Sequence, residues 1–162
     1  MLLSVFSRLA FALALAVFGN VAVAQDAAFG SAQPDRSLPV EVAADELSVN
    51  QQDGTATLTG NVVVTQGDMI LSAQNVLVNY QEGTQKISNL QASGSVTLVS
   101  GPDAAEAQNA VYDLEAGTVL LTGNVLLSQG DNVMTGERIT IDLDSGTAKA
   151  AGRVKTTLQA GD

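Results

Sequence analysis

From Leu38 to Leu158 apolar and polar residues alternate, and no stretch of useful length keeps the 3.6-residue period of a helix. Valine, leucine and threonine dominate. Turn-forming groups punctuate the alternation at Asp53-Gly54, Gln66-Gly67-Asp68, Glu82-Gly83, Ser100-Gly101-Pro102, Ala116-Gly117, Gly130-Asp131 and Ser145-Gly146. Short strands at even spacing with glycine turns predict an all-β sandwich, barrel or solenoid.

A repeat underlies the alternation. Residues 54–68 read GTATLTGNVVVTQGD and residues 117–131 read GTVLLTGNVLLSQGD, ten of fifteen positions being identical. A Gly-x-Val mark falls at Gly60, Gly94, Gly123 and Gly152, and a second mark at Ala44, Ala73, Ala107 and Gly136. One unit therefore recurs four times, with a five-residue insertion between Gly83 and Gly94. Each marker glycine is expected to permit a bulge where its strand bends.

Aligning the units separates two faces, because side chains alternate along a strand. One face carries Leu47, Val49, Leu58, Val62, Val64, Met69, Leu71, Val76, Val78, Leu98, Tyr112 and Leu114, and the other carries Ser48, Asn50, Asn79, Asp113, Thr140 and Asp142. Two facing sheets of this kind enclose a strip about 10 Å thick. Packed shut, that strip is a core; held apart, it is an apolar trough. The pattern leaves both open. Leu38-Pro39-Val40-Glu41-Val42 reads as the first strand and Val154-Lys155-Thr156-Thr157-Leu158 as the last. If the sheet does not close on itself, Leu38, Val40, Val42, Val154, Thr156 and Leu158 stand at edges open to strand addition.

The first 24 residues change the cellular setting. One cation (Arg8), an apolar run from Leu9 to Phe18 and the small-x-small Ala22-Val23-Ala24 predict a secretory signal cleaved after Ala24. Residues 25–37 read as a flexible leader, and residues 38–160 as the folded domain. The mature chain would carry six cations against seventeen anions, net −11. Such an acidic chain is a poor match for nucleic acid, whose phosphates require a basic face.

Candidate chemistry is sparse. With no cysteine and no histidine, disulfides, thiolate metal sites, thiol nucleophiles and the commonest general base are all excluded. There is no G-x-S-x-G elbow and no phosphate-binding loop. Asp68 and Asp131 follow Gln-Gly pairs, where a carboxylate ordinarily bonds its own turn. We expect no enzyme, no metal and no cofactor.

LPVEVAADELSV, followed by LTGNVVVTQGDMILSAQNVLV with TGNV and QG duplicated downstream, resembles the OstA-like family over residues 38–158. The resemblance is to its small periplasmic lipopolysaccharide-transport member. It implies a twisted, open antiparallel β-jellyroll that carries lipopolysaccharide from inner to outer membrane, with the lipid A acyl chains inside. It also implies modules joined edge to edge. The partners would be an LptC-like inner-membrane component, an LptD-like outer-membrane component and other copies of the chain. Under that reading Val40, Val42, Leu58, Val62, Val64, Met69, Leu71, Val76, Val78, Leu98 and Leu114 face lipid. Two alternatives stay open: a structural β-solenoid with a dry core, and an anchored LptC-like jellyroll.

Overall fold

The alternation is realised as antiparallel strands joined mostly by tight turns, in a computed structural model that describes residues 26–28 and 34–159. Along the chain they are β1 Asp26–Ala28, β2 Glu41–Ala43, β3 Glu46–Asn50, β4 Thr55–Gln66, β5 Met69–Tyr80 and β6 Ile87–Ser100. There follow β7 Asp103–Asp113, β8 Thr118–Gln129, β9 Asn132–Asp142, β10 Thr147–Ala151 and β11 Lys155–Thr157. The spatial order is β1-β10-β9-β8-β7-β6-β5-β4-β2, with β3 also on β4 and β11 also on β9. The sheet is open, as an OstA-like jellyroll requires. Consecutive strands pair antiparallel, so each repeat is a pair of strands joined by a turn.

Both sequence marks lie on one line across the sheet. Register shifts occur at Thr59/Val62, Ser72/Asn75, Ser93/Val96, Glu106/Asn109 and Thr122/Val125. At each Gly-x mark two successive residues are left-handed: Gly60 and Asn61, Gly94 and Ser95, Gly123 and Asn124, Gly152 and Arg153. That conformation suits glycine and, less readily, asparagine. Asp45, in the bend between β2 and β3, or the neighbouring strand's Gln74, Gln108 or Glu137 lies against each glycine, where a Cβ would clash. The bulges therefore form a crease, and the one sheet folds over it into two layers.

One layer holds residues 46–50, 55–59, 75–80, 87–93, 109–113, 118–122, 138–142 and 147–151. The other holds 41–43, 62–66, 69–72, 96–100, 103–107, 125–129, 132–136 and 155–157. Inward residues of both layers make a single aliphatic cluster from Ala56 to Ala148. Each fully buried valine or leucine in it contributes roughly 1.5–3 kcal/mol.

The N-terminal expectations need correction. The signal segment lies outside the described residues. Within the expected flexible leader, Asp26–Ala28 pair with β10, and Asp35–Ser37 are held by hydrogen bonds, Arg36 reaching three distant residues. Leu38–Val40 do not join the ladder as a first strand; Pro39 has no N–H to give, and regular pairing starts at Glu41.

Substitution at the crease should be costlier than at a turn tip. Gly123→Ala puts a Cβ against Gln108, whereas Gly130→Ala, also left-handed, meets nothing within 4 Å. Urea unfolding should show a loss of about 1 kcal/mol for Gly130→Ala from backbone strain alone. Gly123→Ala should lose roughly 1–3 kcal/mol more from overpacking.

Candidate functional site

The folded sheet leaves three boundaries where its apolar interior meets solvent: two sheet edges and the lips opposite the crease. The interior itself is packed shut. Leu58, Val62, Val64, Met69, Leu71, Val76, Val78 and Leu98 are all buried, none more than 5% exposed. Of the residues expected to face lipid, these eight come together in one continuous strip. Val40 and Leu114 are partly buried against it.

Val42 behaves differently because it stands at an edge. It pairs with Val64 and so shares the inward face, yet it is 37% exposed. On the facing layer Leu47 pairs with Leu58 and Val49 with Ala56, and these two are 64% and 59% exposed. The strip thus opens to solvent between β2 and β3. Leu47 and Val49 stand in the inward phase of the repeat, three and five residues after Ala44; that was the signal for them, although the family-based lipid set omits both. At the other edge β11 pairs with β9 through Thr156 and Met134. Thr156 is partly buried, while the flanking Val154 and Leu158 are exposed.

The lips are closed by polar groups that the apolar pattern does not reveal. Tyr112, from one layer, donates its hydroxyl to Gln66 Oε1 of the other at 2.6 Å. Both side chains are buried. Gln66 Nε2 uses both of its hydrogens, on the carbonyls of Arg36 at 3.1 Å and Leu38 at 3.0 Å. The Gln66 amide is therefore fully engaged, as a buried amide must be. Burial pushes the Tyr112 phenol above its ordinary value, an effect the nearby Arg36 guanidinium only partly offsets.

Residues Pro34–Leu38 lie across these lips. Asp35 Oδ1 accepts from the Ser37 N–H at 3.0 Å and the Ser37 hydroxyl at 2.5 Å, and these bonds lower the Asp35 pKa. The segment packs on Gly67, between β4 and β5, and on Gly117, between β7 and β8; a Cβ at Gly117 would collide with the Arg36 guanidinium. Arg36 Nη1 donates to both carboxylate oxygens of Asp144 at 2.5 Å, and Nη2 donates to the Leu114 carbonyl at 2.6 Å. The Asp144 hydrogen bond is the main cause that raises the Arg36 pKa. Arg36 Nε is buried with no partner.

Among the described residues no group of three or more carboxylates or other metal ligands stands together. Exposed Arg153, beside the crease, pairs with Glu137 at 3.3 Å.

Comparison with known proteins agrees with this architecture. Residues 41–147 match the family described as "LptA/(LptD N-terminal domain) LPS transport protein". The chain is 31% identical over 131 residues to "Uncharacterized protein R00383" of Rhizobium meliloti (strain 1021), covering 72% of this chain and 70% of that one. It is 30% identical over 96 residues to the lipopolysaccharide export system protein LptA of Escherichia coli (strain K12), covering 56% of this chain and 52% of the relative. The chain therefore spans about half the length of that export protein. Among solved structures it resembles LptH of Pseudomonas aeruginosa, described as the LptA-homologous periplasmic component of a lipopolysaccharide transport device. The TM-score is 0.72 at 22% identity, covering 78% of this chain and 99% of that one, a likeness of fold.

The buried Tyr112–Gln66 bond should be visible in the pH dependence of stability. Because the folded state holds the phenol protonated, its contribution is complete below pH ~10 and is lost as pH rises through the raised folded value. Tyr112→Phe leaves Gln66 Oε1 without a donor and should cost about 1–2 kcal/mol at neutral pH. In urea unfolding from pH 7 to 11, the gap between wild type and variant should narrow above pH ~10.

Proposed function

The chain belongs to the LptA/LptD N-terminal domain family of lipopolysaccharide transport proteins, and from that premise we propose that it is a periplasmic bridge module for lipopolysaccharide. In this reading the acyl chains of lipid A occupy the strip between the two layers, and the chain carries out no catalysis. The observation that supports it best is the strip's form. Inward apolar residues run unbroken through every long strand from β4 to β9 and end in exposed Val42, Leu47 and Val49 at one edge.

A hydrocarbon chain gains about 0.8 kcal/mol for each CH₂ removed from water. A twelve-carbon chain therefore resists crossing water by roughly 9–10 kcal/mol. Several such chains on one lipid make unaided passage negligible. A strip with apolar ends removes the barrier if modules join edge to edge, so that the hydrocarbon passes from one interior to the next. The open flanks of β2 and β3 offer unpaired backbone groups for that junction. An LptC-like component at one edge and an LptD-like component at the other would extend the same sheet, as would a second copy. Export by a signal cleaved after Ala24 places the module in the periplasm. The work of moving lipid comes from elsewhere in the assembly.

An anchored LptC-like jellyroll would share most of these features; N-terminal sequencing of the mature protein separates the two. The central test is photo-crosslinking in cells. A crosslinker at Val62 or Val78 should trap lipopolysaccharide, and one at the outward Ser48 or Asn79 should not. Lipid-free crosslinkers at both sets, with long fibres formed by the purified protein, would favour a structural assembly instead.

A further inference from the structure

The two ends of the apolar strip are finished differently. At the β2–β3 end Leu47 and Val49 are 64% and 59% exposed, and no strand lies beyond them among the described residues. At the other end Ala148, an inward residue of β10, is fully buried. There one strand does lie beyond: β1 pairs antiparallel with β10, Asp26 opposite Lys149, Ala27 opposite Ala148 and Ala28 opposite Thr147. It covers three of the five residues of β10.

The repeat shows what belongs in that place. At an internal junction the residues two and four before a marker glycine pair with those three and five after the next mark of the second kind. Leu58 and Ala56 pair in this way with Val76 and Val78, and Leu121 and Val119 with Ile139 and Ile141. Ala150 and Ala148 precede Gly152 at the same distances, and the outer side of β10 is where their two counterparts would stand. The opening unit presents such a pair, Leu47 and Val49, at the opposite edge. The layer alternates in direction through an even number of strands from β3 to β10, so β3 of a second copy meets β10 antiparallel. Charge agrees: Glu41 and Glu46 are exposed on the β2–β3 side, Lys149 and Lys155 on the β10–β11 side.

We propose that β1 is a displaceable cap on the β10 edge, and that β3 of a second copy of this chain takes its place, Val49 opposite Ala148 and Leu47 opposite Ala150. The cap is short but tethered, and its tether keeps it at an effective concentration of about millimolar. β3 arrives from solution, yet it spans five residues and takes Leu47 and Val49 out of water. The edge is therefore covered while the chain is alone, as an edge strand needs to be, and exchanges its cover where modules are concentrated. This inference rests on the proposed edge-to-edge joining and adds what holds one edge shut beforehand.

Sedimentation velocity of the purified mature protein tests it, helped by a chain that has no cysteine of its own. Two cysteine doublets, Ala27→Cys with Ala148→Cys and Ala28→Cys with Thr147→Cys, sample both kinds of antiparallel pair, and the closely spaced kind closes as a disulfide. That doublet, oxidised, should self-associate roughly tenfold more weakly than the same protein reduced. Successive N–H groups point to opposite sides of a strand, so Ala27→Pro with Ala28→Pro removes whichever donor faces β10. This variant should associate roughly tenfold more tightly than wild type. Mixed Val49→Cys and Ala148→Cys chains should form an intermolecular disulfide, whereas Ser48→Cys with Ala148→Cys, on opposite faces, should not.

Equal association of the oxidised, reduced and proline forms overturns the cap and leaves the joining of modules standing. Association without the disulfide between Val49→Cys and Ala148→Cys chains overturns β3 as the occupant. If every form, the proline variant included, stays monomeric at about millimolar concentration, edge-to-edge joining of copies fails together with the cap.

Discussion

The crease is the constraint on which the rest of the molecule depends. Gly60-Asn61, Gly94-Ser95, Gly123-Asn124 and Gly152-Arg153 each place two successive residues in the left-handed region. Each pair breaks the ladder at the same height across the sheet. Without the bend, one long sheet would present an entire apolar face to water. With it, Leu58 and Val62, on one continuous strand, come to line two facing layers. The glycines must lack a Cβ for a second reason, because the side chains of Asp45, Gln74, Gln108 and Glu137 close over them. A repeated sequence is therefore what a straight crease demands: every second strand needs the same pair at the same place.

A sandwich hinged along one side needs something to join its lips, and apolar packing alone does not fix how far apart they sit. The Tyr112–Gln66 bond does so at a defined length, and Gln66 passes the constraint on to the Arg36 and Leu38 carbonyls. Buried polar contacts of this kind are costly if half satisfied. Here the amide is complete, while the guanidinium is not. The ion pair with an exposed Asp144 contributes ~1 kcal/mol or less on its own. The lips are thus held by a firm inner bond and a weak outer one.

Much of the fold was legible because the strand period and the glycine marks are local properties. The inward phase identified the buried strip, and the marks at Gly60 and Ala73 fell on the register shift. What stayed hidden depends on distance. Arg36 and Asp144 are 108 positions apart, Tyr112 and Gln66 are 46 apart, and no alternation pattern links them. Gln66 could have been singled out as a polar residue in the inward phase after Val64; Arg36 offered only the lone positive charge within a stretch rich in small residues. The strand at Asp26–Ala28 was missed because three residues carry too little pattern to distinguish from a leader. Leu47 and Val49 were legible as inward-facing, but their exposure follows from edge position, which is a property of the sheet and not of the strand.

Why a strip packed this tightly can be offered as a path for hydrocarbon turns on which contacts an acyl chain would replace. Opposed valines and leucines exclude water by touching each other, and a guest chain offers methylene groups of the same kind. Separating the layers around it exchanges one set of dispersion contacts for another, at about 0.8 kcal/mol of renewed burial for each guest CH₂. The side chains favour that exchange, since the interior is built mainly of alanine, valine, leucine, isoleucine and methionine, with Tyr112 the one fully buried aromatic ring among the described residues. Backbone pairing along each layer survives it, because the layers are joined only at the crease and the lips. The resistance to opening is therefore concentrated where the polar groups stand.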